Sequence, residues 1–163
     1  MHILPYFEDE IVFVDERDEG KFIKADGLIT CSQNLVLSLC PADCAPVMIT
    51  DINFSFLCLL HVGKKNIYII QKAMEEIKNK LGVEEENLMV GIGPAIKDCC
   101  YEIDMQRSVS GLFEERRVPK KQIFLAKYCT CCAKENGNYL FFSHRRSKLK
   151  NEKEGRFIVI ASL

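Results

Sequence analysis

A pattern of two strands followed by one helix, in the middle of the chain, constrains the fold more than any other part of the sequence. Val47–Thr50 and Phe54–Leu60 are apolar and strand-like, and residues 51–53 between them are typical of a turn. Apolar residues then recur at helical spacing across Ile67–Leu81, and Gly82 stands where a helix C-cap is expected. The pattern predicts a β-hairpin followed by an amphipathic helix.

The remaining apolar segments predict more strands than helices. Met105–Glu115 is the second predicted helix. Because strands predominate and helices cover them, we expect a mixed α/β or α+β fold, and the absence of repeats or linkers predicts one domain over residues 1–163. The other predicted strands are Ile11–Asp15, Asp26–Ile29, Leu35–Leu39, Leu88–Ile92, Gln122–Leu125, Tyr139–Phe142 and Phe157–Ile160.

Bulk composition argues against several classes of partner. The 163 residues carry a formal net charge of -1, which gives no electrostatic case for nucleic acid or an anionic membrane. The longest apolar runs, residues 54–60 and 157–163, are too short to span a bilayer. The N-terminal sequence MHILPYFEDE lacks both the basic region and the apolar core of a signal peptide, so we expect a cytoplasmic protein.

Nine cysteines are many for this length, and they include two adjacent pairs, Cys99–Cys100 and Cys131–Cys132. Adjacent cysteines rarely bridge each other without strain, and no secretion signal is present, so reduced thiols are expected. Cys129–Cys132 is the segment most similar to a zinc motif. No second C-x-x-C and no H-x-x-x-H follow it, which disfavours a structural zinc finger.

The predicted hairpin pairs one cysteine with one histidine. If its loop is two residues long, Cys44 lies directly opposite His61, at a Cα separation of roughly 4.5–5.5 Å. That separation suits a zinc ion bound to both side chains, and it also suits a thiolate–imidazolium pair. The alternative is that Cys44 is a small core residue and His61 a hydrogen-bonded surface residue.

A second candidate site is the segment Phe141–Arg146, in which two arginines follow an aromatic strand. An arginine here can bind phosphate or a carboxylate through two parallel hydrogen bonds. Adjacent side chains diverge in an extended chain, so only one of Arg145 and Arg146 is expected to face a site. The alternative is a solvated strand end, and His144 is either a titrating group, a third metal ligand or a surface residue.

Seven short stretches, taken in order, carry a resemblance to one family. They are ADGLIT (25–30), ADCAPVMITD (42–51), HVG (61–63), GIGPAIKDCCYEI (91–103), CT (129–130), FFSHRR (141–146) and GR (155–156). Together they resemble the laccase-domain family, also called the YfiH-like or multicopper-polyphenol-oxidase-like family. The resemblance implies an α/β (α+β mixed) fold of layered mixed β-sheets with helices packed outside, and a chain shortened at its N-terminus relative to the family.

The resemblance also implies one zinc or copper ion held by His, Cys and His. Cys44 and His61 match the second and third of these ligands. Phe7 stands where the family has its first His, so His2, five residues earlier, is the predicted substitute, with His144, Asp43 or a neighbouring cysteine as alternative donors. The chain departs from the family again after Gly63, where the usual Trp-Arg is absent.

Three functions follow as hypotheses. The first is a metal-dependent purine nucleoside enzyme that carries out phosphorolysis of adenosine, inosine or methylthioadenosine, or deamination or phenol oxidation. In it Cys44 and His61 hold the metal, and Arg145, or alternatively Arg146, binds phosphate. The expected partners are a purine nucleoside and phosphate, without nucleic acid or membrane. The second is a metal-free cysteine hydrolase or transferase with Cys44 as nucleophile and His61 as base. The third is a binding or scaffold protein without catalysis.

Overall fold

Two mixed β-sheets with helices on one side form the frame of the structure, a computed structural model that describes residues 1–163. The helices are α1 (Ile69–Leu81), α2 (Met105–Glu115) and α3 (His144–Lys150). The strands are β1 (His2–Leu4), β2 (Ile11–Phe13), β3 (Phe22–Lys24), β4 (Gly27–Thr30), β5 (Leu37–Leu39), β6 (Ala45–Asp51), β7 (Leu57–Val62), β8 (Leu88–Ile92), β9 (Ile123–Leu125), β10 (Lys134–Glu135), β11 (Asn138–Tyr139) and β12 (Val159–Ala161).

The larger sheet has six strands in the order β2-β4-β7-β6-β8-β9. The four central strands run antiparallel to one another, while each edge strand runs parallel to the strand beside it. A smaller four-stranded sheet has the order β12-β5-β1-β3, and β10 and β11 form a separate two-stranded ribbon. The parallel pair β8 and β9 directs both of the segments that follow these strands to the same edge of the sheet.

The core lies on both faces of the six-stranded sheet. Val47, Ile49 and Leu60 face α1 and α2, whose apolar sides complete a cluster of 25 buried residues. Leu57 and Leu59 face the opposite way and pack against the four-stranded sheet in a second cluster of 9 buried residues. This alternation follows from the period of two along a strand. The predicted α/β architecture of layered sheets with helices outside is confirmed.

The main sequence-predicted elements are present, with one important difference in register. The hairpin loop is longer than two residues because the Asp51 carboxylate accepts hydrogen bonds from the Ser55 N–H at 2.7 Å and the Ser55 hydroxyl at 2.9 Å. Residue Phe54 turns the chain with a φ of 53°. Pro46, not Cys44, therefore lies opposite His61, and the predicted direct pairing of Cys44 with His61 is wrong.

Other elements were not anticipated from the sequence. Strands His2–Leu4 and Phe22–Lys24 belong to the smaller sheet, and the predicted strand Tyr139–Phe142 is reduced to the short β11 (Asn138–Tyr139). The two arginines lie in α3, whose N-cap Ser143 accepts a hydrogen bond from the Arg146 N–H. None of the helices is long and apolar enough to cross a membrane.

Two glycines, one at the end of a helix and one inside a helix, provide a matched test of backbone conformation. Gly82 caps α1 with a φ of 69°, which favours glycine, whereas Gly111 lies inside α2 with open space around it. We expect Gly82→Ala to lower the free energy of unfolding by about 1 kcal/mol and Gly111→Ala to raise it by about 0.5–1 kcal/mol. Urea denaturation measures both, and equal effects of the same sign would contradict the assignment.

Candidate active site

The Asp43 carboxylate joins three distant segments of the chain. It accepts hydrogen bonds from the Thr130 hydroxyl at 2.7 Å, the Ser143 hydroxyl at 3.0 Å and the Arg145 backbone N–H at 2.7 Å. Asp43 is buried and has a φ of 85°, a left-handed conformation that aspartate tolerates better than most residues. The loop before β6 is thereby fixed to the residues after β9 and to the start of α3.

Cys44 and His61 share one face of the β6–β7 hairpin, although they are not directly opposite. Extending the observed register by one residue places Cys44 across from Gly63, and a Cβ atom at Gly63 would lie 3.0 Å from the Cys44 sulfur. His61 is the next residue on that face of β7. The two side chains are therefore diagonal neighbours, and Gly63 allows the sulfur to approach the strand closely.

Phe7 packs against this pair. Its ring centroid lies 5.2 Å from that of His61, and the ring edge would be 3.2 Å from a Cβ atom at Gly63. Phe7 has a φ of 62°, a strained conformation for a bulky side chain. The aromatic ring thus stands beside His61 and Gly63, at the position where the family resemblance expects the first histidine ligand.

The loop that carries Phe7 is held by a buried carboxylate. The two Asp26 oxygens accept hydrogen bonds from the four backbone N–H groups of residues 6–9, at 2.8 to 3.1 Å. The Asp26 carbonyl also accepts the His61 N–H at 2.8 Å. Asp26 therefore positions Phe7 and His61 together, a role that no pattern in the sequence indicates.

Burial keeps the Cys44–His61 pair neutral. Burial, with a smaller contribution from Asp43, raises the pKa of the Cys44 thiol to about 11. Burial lowers the pKa of His61 to about 4, although the charge of Asp26 acts in the opposite direction. A thiol beside a neutral imidazole is not an activated nucleophile, which argues against the cysteine hydrolase hypothesis.

A cavity of about 280 Å³ opens beside Cys44. Its polar lining includes Lys64, Tyr101 and Arg145, and its apolar lining includes Ile96 and Met105. The Arg145 guanidinium lies 5.8 Å from the centroid of the Tyr101 ring, within cation–π range. A pocket with an apolar wall and a few convergent cationic groups is typical of a site for a small anionic or polar ligand.

The two adjacent arginines have different roles. Arg146 is buried and donates hydrogen bonds to the carbonyls of Thr130, Cys131 and Phe141, while Arg145 faces the cavity. Arg146 also packs on the Tyr139 ring at 3.8 Å. As expected, only one arginine of the pair faces the pocket, because the helix directs the neighbouring side chain into the protein.

The remaining predicted ligands are not gathered around Cys44 and His61. His2 lies on β1 in the smaller sheet, where its Nδ1 is 2.9 Å from the Ser38 hydroxyl and its ring packs on Phe22. His144 begins α3 and lines the pocket, with its Nδ1 3.4 Å from Glu154.

The family metal does not fit these residues as a three-ligand centre. The His61 Nδ1 atom is buried without a hydrogen-bond partner, so one donor is available beside the Cys44 thiol. No third donor joins them, because the only set of three or more candidate ligands within 4.8 Å of one another is formed by four cysteines elsewhere. A catalytic zinc normally has three protein ligands.

The four cysteines are Cys99, Cys100, Cys129 and Cys132, and sequence reasoning missed their association. The adjacent pair and the C-x-x-C spacing were both visible in the sequence. What was not visible is that they face each other, which depends on the parallel pairing of β8 with β9.

Comparison with known proteins shows the family to which the chain belongs. Residues 6–115 match the family described as multi-copper polyphenol oxidoreductase laccase. The chain therefore belongs to this laccase-domain family, and the resemblance drawn from the sequence motifs is confirmed.

Two relatives of the chain are named as purine nucleoside phosphorylases. The chain is 28% identical over 152 residues to a purine nucleoside phosphorylase of Staphylococcus epidermidis, covering 76% of this chain and 55% of the relative. It is 25% identical over 160 residues to one of Clostridium acetobutylicum, covering 83% of this chain and 66% of that protein. The chain thus spans about half the length of the first relative.

Solved structures agree on the fold. The crystal structure of Bacillus licheniformis hypothetical protein YfiH superposes with a TM-score of 0.87 and 26% identity, covering 99% of this chain and 73% of that chain. YlmD from Geobacillus stearothermophilus superposes with a TM-score of 0.86 and 22% identity, covering 96% and 70% respectively.

Replacing the central carboxylate tests its structural role. Asp43→Asn removes the charge and turns an amide N–H₂ toward groups that are themselves donors, so we expect the free energy of unfolding to fall by about 2–3 kcal/mol. The exposed Asp98, 3.9 Å from Arg107, provides the control, and Asp98→Asn should change stability by less than about 0.5 kcal/mol. Equal effects in urea denaturation would contradict the proposed role.

The lowered pKa of His61 predicts a pH dependence in metal-free protein. Below pH 6.5, the ordinary pKa of histidine, His61 binds a proton in the unfolded chain. In the folded chain it binds a proton only near pH 4, because its pKa is lowered. Stability from this group is therefore complete above pH 6.5 and is lost as the pH falls toward 4, by up to about 3 kcal/mol.

Urea denaturation with a chelator, between pH 7 and 4, measures this loss. His61→Gln should show a shallower fall than wild type, whereas the exposed His144→Gln should keep it. Identical slopes for all three proteins would exclude a buried, neutral His61.

Proposed function

We propose that this chain binds a purine nucleoside and phosphate in the cavity beside Cys44, as a purine nucleoside phosphorylase whose turnover is limited by Phe7. The observation that carries the proposal is the convergence of Asp43, Cys44 and Arg145 around one cavity. The relatives named purine nucleoside phosphorylase support it, since the match covers most of this chain.

Arg145 is the phosphate-binding residue in this proposal. Its backbone is anchored by Asp43 at 2.7 Å and its guanidinium packs on Tyr101, so its donors are preorganised at the cavity. Guanidinium binds phosphate through two parallel hydrogen bonds. Lys64 adds a second cation at the rim, paired at 2.5 Å with Glu102, and a bound phosphate competes with that carboxylate.

The proposed reaction is phosphorolysis of the glycosidic bond. A phosphate oxygen forms a bond to C1′ of the ribose while the C1′–N bond breaks. The purine leaves with the electron pair and takes up the proton that the hydrogen phosphate releases. Arg145 holds the phosphate for attack. The Cys44 thiol keeps its proton near neutral pH and acts as a hydrogen-bond donor to the nucleoside rather than as a nucleophile.

The residues beside Cys44 provide too few ligands for the zinc or copper ion that the family resemblance implies. Cys44 and His61 supply two donors, and a phenyl ring stands where the third is expected. We therefore expect weak metal binding at this pair and slow turnover. Nucleoside binding without turnover would favour the scaffold hypothesis over an enzyme.

Ligand binding and turnover can be measured separately. Calorimetry with inosine and with adenosine reports binding, and chromatography of released base reports phosphorolysis with added zinc or copper. Arg145→Ala should raise the phosphate concentration needed for half-maximal turnover by about 10–100-fold, because a charged hydrogen-bonding group is lost. Arg17→Ala, an exposed arginine paired with Asp15, is the matched control and should match wild type.

A gain-of-function variant tests the role of Phe7. Histidine tolerates a positive φ better than phenylalanine, so Phe7→His should fold, bind zinc more tightly and raise turnover by at least about 10-fold. The absence of nucleoside binding in both wild type and Phe7→His would overturn the proposed function.

A further inference from the structure

A cluster of four thiols lies outside the cavity, at the edge of the six-stranded sheet where β8 and β9 end. The sulfur atoms of Cys99, Cys100, Cys129 and Cys132 lie within 4.8 Å of one another, and those of Cys99 and Cys132 are 3.6 Å apart. In a tetrahedral zinc site with Zn–S bonds of about 2.3 Å, the sulfurs are about 3.8 Å apart. The thiols therefore have nearly the spacing that one bound ion requires.

We propose that Cys99, Cys100, Cys129 and Cys132 bind a single thiophilic metal ion, zinc, as a structural site separate from the Cys44 cavity. All four cysteines are free thiols. Four thiolates fill the tetrahedral coordination of zinc and leave no open position, so the ion holds structure and activates no water. Soft sulfur ligands select zinc over magnesium or calcium, and an iron–sulfur cluster would need sulfurs spaced more widely around its several iron atoms.

The backbone brings the two halves of the site together. The parallel strands β8 and β9 direct the segments after them to one edge, and a further parallel bridge joins Ala95 to Cys129. The Thr130 N–H donates to the Ala95 carbonyl at 3.1 Å, and the Cys100 N–H donates to the Lys97 carbonyl at 2.9 Å. The two turns are therefore held in place by hydrogen bonds that do not involve the sulfurs.

The backbone around Cys129 suits a metal-bound thiolate. The backbone N–H groups of Lys97, Cys131 and Cys132 are directed at its sulfur atom. N–H groups directed at sulfur stabilise a negative charge there. Metal ligands must be deprotonated, so these donors support metal binding at Cys129.

The proposed ion braces one wall of the cavity. Cys100 precedes Tyr101, which lines the cavity and packs against Arg145, and Cys129 precedes Thr130, whose hydroxyl donates to Asp43 at 2.7 Å. An ion bound by both turns ties these two residues together. Loss of the ion is therefore expected to loosen the cavity wall without removing any residue that contacts a ligand.

The test compares metal content in matched variants made in a Cys44→Ala/His61→Ala background, which removes the other possible metal ligands. The parent should contain about one zinc ion per chain by mass spectrometry, and Cys99→Ser/Cys132→Ser should lose it. Both substituted residues are exposed, so the fold should persist. Cys31→Ser, also exposed but outside the cluster, should retain the ion and is the control.

Two further measurements confirm the ligand set. Cobalt added to the metal-free parent should give thiolate-to-cobalt charge-transfer absorption typical of four sulfur ligands, and the double variant should not. Removing the metal with a chelator should lower Tm by roughly 10 °C in the parent and leave the double variant unchanged.

Several results would overturn the proposal. One is metal content that is equally low in the parent, the Cys31→Ser control and the double variant after zinc is supplied. Others are a Cys99–Cys132 disulfide in protein purified under reducing conditions, or iron in place of zinc. Because the background lacks Cys44 and His61, none of these results bears on nucleoside binding in the cavity.

Discussion

The buried Asp43 carboxylate is the interaction on which the rest of the site depends. A charged group out of water must be satisfied by donors, and Thr130, Ser143 and Arg145 provide them from two remote parts of the chain. Satisfying one charge therefore brings together the loop before β6, the segment after β9 and the start of α3. The cavity is a consequence of that assembly, since its lining residues are neighbours of these donors.

Desolvation determines the protonation states of Cys44 and His61 beside the cavity. The same burial that places Cys44 and His61 side by side keeps the thiol protonated and the imidazole neutral, so their pairing alone yields no strong nucleophile. The Phe7 ring strengthens this effect by adding apolar surface beside His61. The free cation facing the cavity is on Arg145, so recognition of an anion is better supported than activation of a nucleophile.

Periodicity and cap residues were enough to predict α1, α2 and the β6–β7 hairpin, because these elements depend on local patterns of apolar residues. The hairpin register was not predictable, since it depends on the Asp51–Ser55 hydrogen bonds in the loop. The family motifs predicted Cys44, His61 and Arg145 as candidate site residues, but they did not indicate the roles of Asp26 or of the cysteine cluster. Those roles arise from contacts between residues distant in sequence, which a strand or helix pattern does not encode.

The way in which the Tyr6–Asp9 loop is held has an evolutionary consequence. The Asp26 carboxylate binds this loop entirely through backbone N–H groups. The loop conformation is therefore largely independent of the side chains of residues 6–9. A mutation at residue 7 can therefore change the side chain beside His61 with little penalty in folding. A lineage can vary the surroundings of this histidine at one loop position while the scaffold persists.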